Sequence, residues 1–103
     1  MVNVKNMHGM TPLHYASDRG EDEMVVALIA ARADIEATTT AYMYTPLHLA
    51  VISRRKSTVV ALLSAGANVL AKDKYGNGLL KFITDDAIKK ILQDATDLAN
   101  TVV

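Results

Sequence analysis

Thr45-Pro46-Leu47-His48-Leu49-Ala50 decides how this chain is read, because thirty-four residues earlier stands Thr11-Pro12-Leu13-His14-Tyr15-Ala16, which differs only in Tyr15 for Leu49. A string of this length returning at such a spacing is one structural unit used twice, and periods of about 20–50 residues mark stacked arrays. The agreement continues at the same offset. Met24-Val25-Val26-Ala27-Leu28-Ile29 aligns with Thr58-Val59-Val60-Ala61-Leu62-Leu63, and Ala33-Asp34-Ile35-Glu36-Ala37 with Ala67-Asn68-Val69-Leu70-Ala71, without a gap.

These residues resemble the ankyrin repeat, whose period is about 33 and whose signature is Thr-Pro-Leu-His-x-Ala. The resemblance implies an all-α fold, a stack of antiparallel helix-turn-helix units with short projecting turns. It divides a single domain, 1–103, into a first repeat at about 5–37, a second at about 38–71 and a degenerate C-terminal capping repeat at about 72–99.

Composition agrees with one folded domain. A chain of 103 residues buries only about two-thirds of its unfolded surface. Eleven basic residues balance eleven acidic ones, so no net field draws the protein to nucleic acid or anionic lipid. With no cysteine there is no disulfide framework, thiolate nucleophile or thiolate zinc site. The longest uninterrupted apolar run, Met24 to Ala31, is eight residues, far short of a membrane span, and Met1-Val2-Asn3-Val4-Lys5 lacks the apolar core of a signal peptide. The expectation is a soluble intracellular protein, cytoplasmic or else nuclear, with no membrane and no nucleic acid among its partners.

Each unit opens on a physical helix start. Thr11 and Thr45 have the hydroxyl that caps an orphan backbone N–H, and Pro12 and Pro46 lose nothing at the first helical position. Residues 1–10 read as an arm and a turn, with Gly9 free to take a conformation other residues resist. Leu13, Ala16 and Ser17 supply the packed side of the first helix, which Gly20 ends. A second helix is expected from Asp22 to Ala31, its acidic first turn favourable to the helix dipole, with Met24, Val25, Leu28 and Ile29 as the buried stripe.

The turn from Thr38 to Tyr44 is one residue longer than the pattern and has no glycine where the pattern has one. In the second unit Lys56 to Ala65 forms the second helix and Gly66 ends it. Arg32 stands where the second unit has Gly66, and Arg54 stands where the first has Gly20. A non-glycine residue at positive φ costs about 1 kcal/mol, so the second unit either bears that strain or lengthens its first helix. In the third unit Lys72-Asp73-Lys74-Tyr75-Gly76 is regular, but Gly78-Leu79-Leu80-Lys81-Phe82-Ile83 keeps only the central leucine. Asp85 or Asp86 then caps a helix with Ile88, Ile91, Leu92, Ala95 and Leu98 on one face and Lys89, Lys90, Gln93, Asp94 and Asp97 on the other.

None of the candidate chemical groups forms a catalytic set. His14 and His48 are equivalent positions in successive units rather than an i, i+4 metal pair, and in the ankyrin family this histidine bridges to the turn of the adjacent repeat. His8 falls in a turn tip, as bystander or contact. Asp85-Asp86 and Glu21-Asp22-Glu23 are explained by helix capping and the helix dipole. No glycine-rich phosphate loop or nucleophile elbow is present. The reading is therefore not an enzyme, with no cofactor and no metal.

Tyr42, Tyr44 and Tyr75 fall in the projecting turns, while Tyr15, inside a signature helix, is assigned to the core. The resemblance implies protein–protein interaction, with partner-binding residues Met7, His8, Met10, Asp18, Arg19, Tyr42, Tyr44, Ile52, Ser53, Lys74, Tyr75 and Asn77 on the concave side and turn tips. The rival reading is a structural or regulatory segment of a larger protein, or a self-associating module. A homodimer or neighbouring repeats of a longer chain are favoured by two expected apolar patches. One is the open face of the first unit, with parts of Leu13, Met24 and Leu28 partly covered by Val2 and Val4. The other is Val26 and Val60 with Ala30.

Overall fold

A computed structural model describes residues 2–83 and 85–101. Among the described residues are five α-helices and one 3-10 turn, in the order α1 (Pro12–Arg19), α2 (Asp22–Ala30), α3 (Pro46–Ile52), α4 (Lys56–Ser64), the 3-10 turn (Leu79–Phe82) and α5 (Asp86–Thr101). A single isolated bridge, Lys72 to Gly78, closes the third turn.

The repeated hexapeptide folds the same way twice. Thr11 Oγ1 accepts the His14 N–H at 3.3 Å while His14 Nδ1 accepts the Thr11 N–H at 3.0 Å. Thr45 and His48 repeat this at 3.3 and 3.1 Å. This is a reciprocal capping box with histidine in the place usually held by Glu or Gln. It satisfies two orphan N–H groups and fixes each imidazole against its own helix start. At the N-terminus of α5, Asp85 is the cap: its Oδ1 accepts from Ala87 at 2.8 Å and Ile88 at 3.3 Å.

The inner helices α1 and α3 pack on each other, the outer helices α2 and α4 do likewise, and α5 packs on α4. Leu13, Ala16, Val25, Leu47, Ala50, Val51, Val59, Leu62, Leu79, Ile88 and Leu92 form one continuous buried core. Polar ties cross the first inter-repeat interface. The Asp22 carboxylate accepts from the hydroxyls of Ser57 and Thr58, and that of Asp18 from Ser53. Arg55 Nε donates to the Asp18 carbonyl at 3.0 Å.

Several expectations are corrected. The second unit does not lengthen its first helix: α3 stops at Ile52 and Arg54 takes φ 60°, as Arg32 takes φ 69°. The reason is the closing turn. Arg55 N–H reaches the Ala50 carbonyl at 2.8 Å just as Glu21 reaches Ala16 at 2.9 Å, satisfying a terminal carbonyl that extra helix would reposition.

Ala31 and Ala65 act as C-caps, so α2 and α4 each end one residue early. Met24 does not join the buried stripe but is 52% exposed, and Tyr15 is exposed rather than core. Leu13 is fully buried and is no part of an open face; Val2 packs on the core, whereas Val4 is exposed. In the third unit Leu79 is the buried leucine and Leu80 is exposed, because the inner helix is replaced by a tighter 3-10 turn that rotates the sequence about its axis. Leu98 also stands in solvent.

Candidate partner-binding surface

Three projecting fingers are built on one scheme. In the first, the Asn6 N–H donates to the Met10 carbonyl at 3.0 Å, and Asn6 Oδ1 accepts from His8 and Met10. In the third, Asp73 plays the part of Asn6. Its N–H donates to the Asn77 carbonyl at 3.0 Å and its Oδ1 accepts from Tyr75 and Asn77, each at 2.9 Å. The second finger runs from Thr39 to Tyr44, closed by Thr39 N–H to the Tyr44 carbonyl at 3.0 Å and by Thr39 Oγ1.

The extra residue of the second finger is absorbed at the tip. Met43 occupies the place of Gly9 (φ 75°) and Gly76 (φ 80°) and takes φ 57°. The fingers are also tied to one another. Thr40 N–H donates to the His8 carbonyl at 3.0 Å, and Lys74 N–H to the Tyr42 carbonyl at 2.7 Å.

Aromatic rings then run from the outermost tip to the buried frame. Tyr75 lies against Tyr42 with centroids 6.2 Å apart, and Tyr42 stacks on Tyr44 at 5.3 Å. Tyr44 in turn stacks on His48 at 5.5 Å and meets the edge of Phe82 at 5.8 Å. Tyr75 and Tyr42 are 66% and 48% exposed, while Tyr44 is only half-buried at the base. The three tyrosines are thus brought together, but they have unlike roles: two offer surface and one anchors it.

Of the other residues expected on this surface, Met7, His8 and Lys74 are exposed at the tips, and Met10 is partly covered. Asn77 is half-buried, its amide donating to Asp73 Oδ2 at 3.1 Å. At the opposite end of the inner helices Arg19 and Ile52 are exposed, whereas Asp18 and Ser53 are tied to each other across the repeat interface. Two exposed residues escaped the sequence reading. Met43 sits at the second tip, 46% exposed, and Tyr15 holds its hydroxyl 2.6 Å from Asn6 Nδ2 under the first finger. Met43 was signalled by its place two residues before Thr45, where the other fingers carry glycine.

The two histidines tie the fingers to the helices. With Nδ1 taking the Thr11 N–H, the His14 proton sits on Nε2, which donates to the Tyr44 carbonyl at 2.9 Å. A family model of ankyrin repeats in three copies matches residues 1–73. The chain belongs to the ankyrin repeat family. Ankyrin repeats are generally protein–protein interaction modules, and the residues matched include the first two fingers in full. Comparison with curated proteins returns no match.

The ankyrin frame also sets the electrostatics. Burial pushes both His14 and His48 below the ordinary histidine range, partly offset at His14 by the Tyr44 carbonyl and at His48 by Asp73 and the Asn77 carbonyl. His48 differs from His14 in one respect: the Asn77 carbonyl is near enough to favour its charged form, but Nε2 makes no formed hydrogen bond to it or to any other described residue. For Asp73, burial acts upward, but the Asn77 and Tyr75 hydrogen bonds and His48 outweigh it and hold the carboxyl below its usual range. Ser57 and Thr58 do the same for Asp22. Burial raises the Tyr44 phenol, with Asp73 and the neighbouring tyrosines acting in the same direction. Among the described residues no group of three or more His, Asp and Glu is placed to hold a metal ion, and no helix is long and apolar enough to cross a membrane.

Proposed function

We propose that this ankyrin-repeat chain is a non-catalytic binding module that takes a protein partner along its fingertips and the concave side of its inner helices. The observation that carries this is the paired exposure of Tyr42 and Tyr75 on interlocked fingers, backed by the half-buried Tyr44. Tyrosine gives large contact area with one polar tip and little rotamer entropy to lose, which is why it recurs at binding hot spots. Exposed Met7 and Met43 flank it with adaptable apolar contacts. The groups that invite a catalytic reading are committed to the frame instead: His14 to the second finger, Asp22 to Ser57 and Thr58, Asp73 to the third finger.

The test is quantitative binding with Tyr42→Ala and Tyr75→Ala combined. Affinity for the partner should fall at least about tenfold, in keeping with loss of hot-spot aromatics, while the chain stays folded with a melting temperature lowered only by loss of the Tyr42 ring contacts. Tyr44 is left out of this pair because its ring supports His48 and Phe82, so its loss would confound binding with folding.

Self-association is the second reading, favoured by Val26 and Val60 at 58% and 43% exposure on the outer helices. Light scattering across a wide concentration range separates it from the first: a mass that rises with concentration and is abolished by Val26→Lys supports it.

A further inference from the structure

The intact interface between the first and second repeats serves as a template for the face that the first repeat leaves uncovered. In the second repeat Thr58 and Leu62 are fully buried and Pro46 is buried, because α1 and α2 lie against them. The same positions in the first repeat are Met24, Leu28 and Pro12. Met24 is 52% exposed, Leu28 is only half-buried and Pro12 is exposed. Nothing in their chemistry favours solvent; what differs is the neighbour.

The arm ahead of α1 has the form of a repeat's outgoing loop. Asn3 Oδ1 accepts the Asp34 N–H at 2.7 Å, and Glu36 Oε2 accepts the Asn68 N–H at 2.9 Å. Asn6 holds its finger as Asp73 does. Val2 therefore stands in register with Ile35 and Val69, all three packed against the core.

The register also says what must meet this face. Asp22 of the first repeat receives the hydroxyls at 57 and 58 of the second. One repeat earlier those two positions are Glu23 and Met24, so an acid in the place of Asp22 would be repelled and a lysine or arginine attracted. Glu21, Asp22, Glu23 and Met24 line a surface depression at that point. The second repeat already carries such a cation in the Asp22 position: Lys56.

We infer that the face formed by Pro12, Met24 and Leu28 is an inter-repeat face, and that its partner is a further helix pair of the same type which sets an apolar side on Met24 and a lysine or arginine against Glu23. This surface is distinct from the fingertips, and the inference stands whether or not they bind as proposed.

The test exploits the absence of cysteine, which makes Met24→Cys the sole thiol of the chain. The probe is the full chain with a duplicate of its own residues 35–68 placed ahead of Val2, so that the duplicate's Asn68 runs into Val2 as it does into Val69 and its Lys56 faces Glu23. In the original chain the thiol should react with a maleimide as an exposed group at every protein concentration. In the extended chain it should react at least about tenfold more slowly, and the whole should melt in one transition raised by at least about 5 °C. Glu23→Lys should lower the extended chain's midpoint by more than it lowers the original chain's, where only the favourable helix-dipole contact is lost. A thiol that reacts at the same rate in both chains, or a duplicate that melts separately, overturns the inference. So does protection of the original chain's thiol with rising concentration, because a second copy would then be the occupant.

Discussion

His14 Nε2 lies 2.9 Å from the Tyr44 carbonyl oxygen, and through that bond the first inner helix holds the second finger, thirty positions away in the chain. His48 has the same capping box and the same burial, yet its Nε2 finds no partner among the described residues. Both rings reach the next unit, His48 by the edge of Phe82 at 6.1 Å, but only His14 has a formed hydrogen bond there. His48→Ala should cost about 1–3 kcal/mol, as loss of a buried hydrogen-bonding group does, and His14→Ala about 1 kcal/mol more, the net worth of the additional bond. Urea denaturation of the two variants checks the order. Equal costs would mean the Tyr44 bond adds nothing.

The same histidines set a pH dependence. Both are held below the ordinary value of 6.5, chiefly by burial. A folded value below the unfolded one means that the unfolded state takes up protons first, so this contribution is complete above pH 6.5 and is lost as pH falls from there through the folded values. Asp22 and Asp73, held below 3.8, add a second loss that begins only below that pH. The denaturation midpoint should therefore drop between pH 7.5 and 5.5, and His14→Gln with His48→Gln should flatten that drop. A midpoint that is flat for the unaltered chain contradicts this reading.

Two finger glycines offer a matched comparison. Gly9 and Gly76 both have positive φ, but a Cβ on Gly9 would lie 2.6 Å from Thr40 Oγ1 and 2.7 Å from Thr40 N, while a Cβ on Gly76 would meet nothing within 4 Å. Gly76→Ala should cost about 1 kcal/mol from backbone strain alone. Gly9→Ala should cost distinctly more, because the backbone of the second finger has to move away. Thermal melts of the two would show it, and equal shifts would deny that the fingers interlock.

Met43→Gly is the converse. It relieves a left-handed residue at φ 57° and removes a side chain that is nearly half exposed, so it should stabilise the chain by about 0.5–1 kcal/mol. An unchanged or lower denaturation midpoint would mean that the methionine side chain makes packing contacts worth more than the strain.

Helix starts were legible in the sequence because they are local: Thr11-Pro12 and Thr45-Pro46 carry their own capping chemistry, and the histidine three residues on completes it. The fingertip placement of Tyr42 and Tyr75 followed from the same repeat register. What the sequence did not disclose depends on neighbours. Thr58 and Met24 hold one register position, and only the stack decides that the first is covered and the second is not. Tyr15 stands at the variable position of the signature, exposed with its hydroxyl on a finger asparagine, and Leu80, at the signature leucine, is exposed where a 3-10 turn replaces the inner helix. Tyr44 looked like its exposed neighbours because nothing in the order of residues reveals Phe82 and His48 beneath its ring.

The central claim, that the fingertip tyrosines form a partner-binding surface, is tested most directly by comparative capture from the source cell. Three baits are quantified by mass spectrometry: the unaltered chain, Tyr42→Ala with Tyr75→Ala, and Val26→Lys with Val60→Lys on the outer helices. A protein retained by the unaltered and outer-helix baits and reduced at least about tenfold on the tyrosine bait is the predicted result. A protein retained equally by the tyrosine bait but lost from the outer-helix bait would contradict it and move the binding surface to α2 and α4.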